Sequence, residues 1–181
     1  NLKLIFILIL FCFSSIVFAD IKSVSLKFDD KELLKLEEIQ NLNSLGEFQC
    51  DSQNVGPILK EIVAITEHEA AEDLLSVSLF VRAHSTQAGD MHAQGIPVER
   101  GSFIELSLEL DESSKDAAQQ KWQLNGANFS LFAASTFIGA GTYTVDFFAS
   151  AKTSKNQIYY SNFGNNFKTE MTVKDDENKC K

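Results

Sequence analysis

Residues 102–110 read Ser-Phe-Ile-Glu-Leu-Ser-Leu-Glu-Leu. Ile104, Leu106, Leu108 and Leu110 alternate with Glu105, Ser107 and Glu109. Successive side chains of a strand point to opposite faces, so this period of two buries one face and wets the other. A helix over the same stretch would carry glutamates onto its apolar side. The stretch predicts a half-buried strand. The same texture runs outward in both directions. SVSLFVRAH (76–84) alternates Val77, Leu79 and Val81, and KWQL, NFSLF, TYTVDFFAS, QIYYSN and FKTEMTV add further short runs. Turn-prone clusters separate them: Arg100-Gly101, DESSKD, Asn125-Gly126, Gly139-Ala140-Gly141, KTSKN and Phe163-Gly164-Asn165. Many short strands with turns between them predict a mostly β chain, specifically an immunoglobulin-like antiparallel β-sandwich over 76–173.

Upstream, DIKSVSLKF (20–28) alternates as a strand, and DDKELLKLEEIQNLNSL (29–45) spaces Leu33, Leu36, Ile39, Leu42 and Leu45 as a short amphipathic helix ending before Gly46. Residues 57–75 carry ILKEIVAIT and then EHEAAED, which fit either a second helix or a strand followed by a loop. The expected organisation is an N-terminal strand and helical segment over 20–75 packed on the sandwich, with a charged tail over 174–181.

Residues 1–19 stand apart. Lys3 precedes an apolar run from Leu4 to Phe13, and Val17 and Ala19 lie three and one places before Asp20. That is the three-part pattern of a secretory signal peptide. A transmembrane helix needs about 20 apolar residues, so the expectation is export, to the periplasm or the medium, with no membrane insertion after cleavage. The formal charge of −9 becomes −10 without Lys3. Such an acidic chain is not drawn to nucleic acid. Cys50 and Cys180 then remain as a pair in a compartment that permits a disulfide. Closing so long a loop is worth roughly 4–5 kcal/mol in the chain-entropy treatment.

Signatures of catalysis are missing from the sequence. The chain has no G-x-S-x-G, no H-E-x-x-H and no glycine-rich phosphate loop. Asp29-Asp30, Asp111-Glu112 and Asp175-Asp176 are adjacent acids, which point apart into water rather than across a scissile bond. His84, Asp90 and His92 supply metal-ligand types in one stretch, but at no established ligand spacing, and His68 sits among acids as part of a solvated face. The reading is a non-enzyme with no cofactor and no metal. Asn128-Phe129-Ser130 is a formal glycosylation sequon.

Aromatics and amides carry more. Eleven of the fifteen aromatic residues after position 19 lie between Trp122 and Phe167. Residues 157–168 read Gln-Ile-Tyr-Tyr-Ser-Asn-Phe-Gly-Asn-Asn-Phe-Lys. Tyr159 and Tyr160 are consecutive, so a strand sends them to opposite faces and leaves one ring exposed, with Tyr160 nearer the amide turn. An aromatic ring covers the apolar face of a sugar, and amides pair with adjacent hydroxyls. The run 142–171 resembles the last strands of starch- and glycogen-binding modules of carbohydrate-binding family 21. Tyr159, Tyr160, Asn162, Gly164, Asn166 and Phe167 fall on the positions of that family's pattern, while Ser161, Phe163 and Phe167 replace its usual Asp, Asn and Tyr. The resemblance implies binding of an α-glucan. Tyr159 or Tyr160 would be the stacking platform, Asn162, Asn165 and Asn166 would read hydroxyls, and Trp122 is a second platform. The expected partner is thus a polysaccharide. The alternative is an exported structural or interaction protein with a protein partner and no sugar binding. An exposed coplanar aromatic pair beside amides marks the first, and a contiguous apolar patch marks the second.

Overall fold

The structure is a computed structural model, and it describes residues 20–29, 31–50, 54–67, 74–85, 100–133, 140–161 and 166–177. The expected leader (1–19), His68, Asp90, His92, Asn162, Asn165 and Cys180 lie outside the described residues. The chain is mostly β. In order it forms β1 (Asp20–Phe28), β2 (Leu34–Lys35), α1 (Leu36–Gln40), β3 (Glu47–Gln49), β4 (Asn54–Glu67), β5 (Leu74–Ser85), β6 (Arg100–Leu110), β7 (Gln119–Leu124), β8 (Phe129–Ala133), β9 (Gly141–Thr153), β10 (Ile158–Tyr160) and β11 (Phe167–Lys174). Among the described residues no helix is long and apolar enough to cross a membrane.

The strands hydrogen-bond along one path, β2-β1-β4-β7-β6-β5-β9-β11-β3, with β8 added to β4 and β10 added to β9. The sequence pattern pointed to two antiparallel layers. The structure has instead one mixed sheet curled into a half-barrel, with β3 running parallel to β11. Strand β6 makes the connection. It pairs β5 from Arg100 to Leu108, then among the described residues meets β7 at Glu109↔Gln123 and Leu110↔Trp122. Alternation along one strand cannot tell two sheets from one sheet turned at a corner, because the same face is buried in both.

Strands β1 and β4 belong to the sheet itself, paired from Asp20↔Glu67 to Phe28↔Leu59. The open segment 57–75 therefore resolves as strand up to Glu67. Pro57 is tolerated inside β4 because the ladder to β8 slips between Val55 and Ile58. Gly56 turns there at φ 100°, and an added Cβ would lie 3.3 Å from the Phe132 ring.

The expected helix over 29–45 shrinks to Leu36–Gln40. Leu34 and Lys35 are drawn into pairing with Leu26 and Ser25, and Leu45 N–H donates to the Glu170 carbonyl at 2.7 Å. A sheet edge on either side outcompetes helix propensity in so short a segment. Leu36 and Ile39 still reach the core, while Leu33 and Leu42 stay exposed. The helix packs on β1 and β11, bridging the two ends of the curled sheet.

The core lies inside the curl. Val77, Leu79, Val81 and Ala83 of β5 face Val145, Phe147 and Ala149 of β9, all fully buried. Val24, Leu26 and Ile62 join the same core from the other half, and Met171 of β11 lies beside β9 within it.

Candidate binding face

The opposite parity of β5 and β9 forms the outer face. Register sets its rows: Phe80 pairs with Phe148, Arg82 with Asp146, and His84 with Thr144. On the far edge of β9, Ser150 pairs with Tyr160, Lys152 with Ile158, and Asp146 with Lys168. Phe80 and Phe148 stack with centroids 4.8 Å apart and planes 7° from parallel. Tyr160 lies diagonal to Phe148, at 6.4 Å and tilted by 51°. Diagonal neighbours on a sheet come within reach of aromatic rings. A ladder of three rings therefore crosses three strands. Its outer end is open, with Tyr160 47% and Ile158 53% exposed.

Tyr159 points the other way, as strand alternation requires. It pairs with Ala151, packs half-buried against the core, and donates from its hydroxyl to Gln157 Oε1 at 2.8 Å. Asn166 is half-buried and precedes Phe167, which pairs with Phe147. It thus joins β11 at the level of Phe148. Ser161, where the resembling family carries Asp, is buried and accepts the Ala149 amide on its hydroxyl at 2.8 Å. That position holds the β9–β10 junction together.

Trp122 does not join this face. Its ring is buried in the other half of the sheet, and its indole N–H donates to Thr66 Oγ1 at 3.2 Å. Held in the core with its polar handle satisfied, it has no face to offer a sugar, which corrects the expected second platform.

Directly beside the aromatic ladder sits a charged cluster that the sequence reading passed over. Asp146 is fully buried although it faces outward. Its Oδ2 accepts Arg82 Nε at 3.1 Å and Nη2 at 2.6 Å, and lies 3.0 Å from His84 Nε2. Among the described residues, Asp146 Oδ1 has no hydrogen-bond partner. Two signals were available in the sequence: Arg82 and His84 two apart on one strand face, and a lone carboxylate inside the apolar run TYTVDFFAS. A shallow groove of about 300 Å³ lined by Leu42, Asn43, Thr144, Lys168, Thr169 and Glu170 continues the face past this cluster.

Cys50 is buried beside the end of β11, where its amide donates to the Lys174 carbonyl at 2.7 Å. Among the described residues no group of three or more His, Cys, Asp and Glu side chains is placed to hold a metal ion. No protein-family model matches the chain, and no curated protein matches it.

Proposed function

We propose that this is an exported, non-catalytic binding protein that holds a protein partner on the outer face of β5, β9 and β10. The observation that carries the reading is the Phe80–Phe148–Tyr160 ladder, which with Ile158 makes a contiguous apolar strip on a solvent-facing sheet. Aromatic rings that already hold one another in place supply contact area at small entropic cost. The near-parallel pair, Phe80 and Phe148, turn their faces to each other, so they are not side by side as a sugar platform requires. Export rests on the leader pattern of residues 1–19.

A second reading, recognition of an α-glucan, is favoured by one feature. Tyr160 keeps a half-exposed ring close to the level at which Asn166 joins β11. This is the tyrosine and one of the amides that the resemblance to family 21 modules implies.

One experiment separates the two. A photo-crosslinking phenylalanine analogue is placed at Tyr160, and at Phe129 of β8 as an exposed control. The exported protein is also applied to a panel of insoluble polysaccharides. Adducts with a defined protein at position 160, absent at 129, support the protein partner. Retention on a polysaccharide that Tyr160→Ala removes supports the glucan. If neither occurs, both readings fall.

A further inference from the structure

Strands β7 and β8 lie end to end on the same edge of β4. Leu124 of β7 pairs with Ile62, and Phe129 of β8 pairs with Leu59. Two residues of β4, Lys60 and Glu61, therefore stand opposite four, Asn125 to Asn128. The excess is looped out of the ladder as a bulge. Within that loop Asn125, Gly126 and Asn128 are exposed, while Ala127 packs on the core.

The two asparagines of the loop are held differently. Asn128 Oδ1 accepts the Lys60 ammonium, and the residue after it is the bulky Phe129. Among the described residues, no hydrogen bond holds the Asn125 side chain or the Gly126 N–H. Gly126 sits at φ 67°, and a Cβ added to it would meet no atom within 4 Å. Glycine has no Cβ to shield its nitrogen and the widest choice of backbone angles. An asparagine side chain has the length at which its Cγ meets the next backbone nitrogen in a five-membered ring. Asn125-Gly126 is the one Asn-Gly pair in the sequence.

We propose that Asn125 is a site of spontaneous deamidation in the folded protein. The Gly126 nitrogen attacks Asn125 Cγ, the new N–Cγ bond closes a succinimide, and the Cγ–Nδ2 bond breaks. The proton lost by the Gly126 nitrogen leaves with Nδ2 as ammonia. Water then opens the ring at either carbonyl, giving aspartate or isoaspartate. Water is the co-reactant, and neither oxidant nor enzyme is needed.

The fold shapes the consequence. The product adds one negative charge to a chain of formal charge −9, in the loop opposite Lys60. The new carboxylate competes with Asn128 for the Lys60 ammonium, because an ionised acceptor bonds it more strongly than an amide does. Isoaspartate also lengthens the backbone by one methylene. A loop that already sets four residues against two absorbs that length, so Leu124 and Phe129 keep their partners on β4. The site is separate from the aromatic ladder and does not depend on the binding reading.

The test ages the full chain in mildly alkaline buffer and follows its peptides by mass spectrometry, with electron-transfer fragmentation to tell isoaspartate from aspartate. Asn125 should convert at least tenfold faster than Asn41, Asn43 and Asn128. Its rate should lie within tenfold of that in a free peptide spanning residues 121–131. Ion exchange should resolve a more acidic form whose unfolding midpoint is unchanged. Asn125→Gln cannot close the five-membered ring and should remove that form. The replaced side chain is exposed and unbonded, so the fold is kept. Conversion more than tenfold slower in the folded chain than in the free peptide would show that the fold restrains the loop, and overturns the proposal. Equal conversion at Asn128, or an acidic form that survives Asn125→Gln, overturns it too. A lowered midpoint of the acidic form would show that the loop does not absorb the change.

Discussion

Asp146 of β9 is fully buried on the outward side of its strand and receives the Arg82 guanidinium of β5 on a single oxygen, at 2.6 Å from Nη2. A buried carboxylate is tolerable only while paired, because removing one partner leaves a charge that water cannot reach. Arg82→Met leaves Asp146 Oδ2 with His84 alone, at 3.0 Å, and since Arg82 is itself partly exposed it should destabilise the fold by about 1–3 kcal/mol. Arg82→Met with Asp146→Leu removes both charges and should cost less than the single change. Urea unfolding of the two variants and Asp146→Leu alone closes the cycle. Additive losses would show that the pair is not coupled.

The two tyrosines of β10 should part company. Tyr160 is exposed and touches the ladder at its open end, so Tyr160→Ala should stay within about 0.5 kcal/mol of the parent. Tyr159 packs on the core and bonds Gln157, so Tyr159→Ala should cost about 1–3 kcal/mol. Thermal unfolding distinguishes them, and a reversed order would mean the strand is shifted by one residue.

Cys50 and Cys180 should form one intramolecular disulfide. The Cys50 amide bonds the Lys174 carbonyl, and six residues of chain, each spanning at most about 3.6 Å, separate Lys174 from Cys180. Intact mass after alkylation without reductant should show neither cysteine modified. Two alkylated thiols per chain would rule the bridge out.

Asp111 closes the turn after β6, where its Oδ1 accepts the Ser113 hydroxyl at 2.7 Å and the Ser113 amide at 3.0 Å. Those bonds, helped by the charge of Lys121, hold its carboxyl below the usual carboxylate range. The folded value lies under the unfolded one. The stability it adds is thus full above the unfolded value and lost as the pH falls through the folded one. Asp111→Asn should flatten the acid limb of the stability curve. NMR titration of the Asp111 carboxyl should give a midpoint below that of an ordinary aspartate, and an ordinary midpoint would refute the assignment.

Local pattern was enough for the strands. Alternation through 102–110 and 142–150 and the turn clusters between runs are properties of neighbouring residues, and they place β6, β9 and the opposite facing of Tyr159 and Tyr160 without any partner strand. Pairing is different in kind. Whether residues 57–67 are helix or strand depended on β1, β7 and β8 lying beside them, and the helix over 29–45 lost both ends to sheet edges its own residues cannot reveal. Trp122 looked like a platform by its chemistry and became core because β7 lies between β4 and β6. The rows Phe80–Phe148 and Arg82–Asp146 exist only because β5 and β9 meet in one register, and a slip of one residue would separate both. Sequence by itself determined which faces of the strands are apolar, since that depends only on a period of two. Tertiary structure decided which strands share an edge, because that choice is made by packing between residues far apart in the chain.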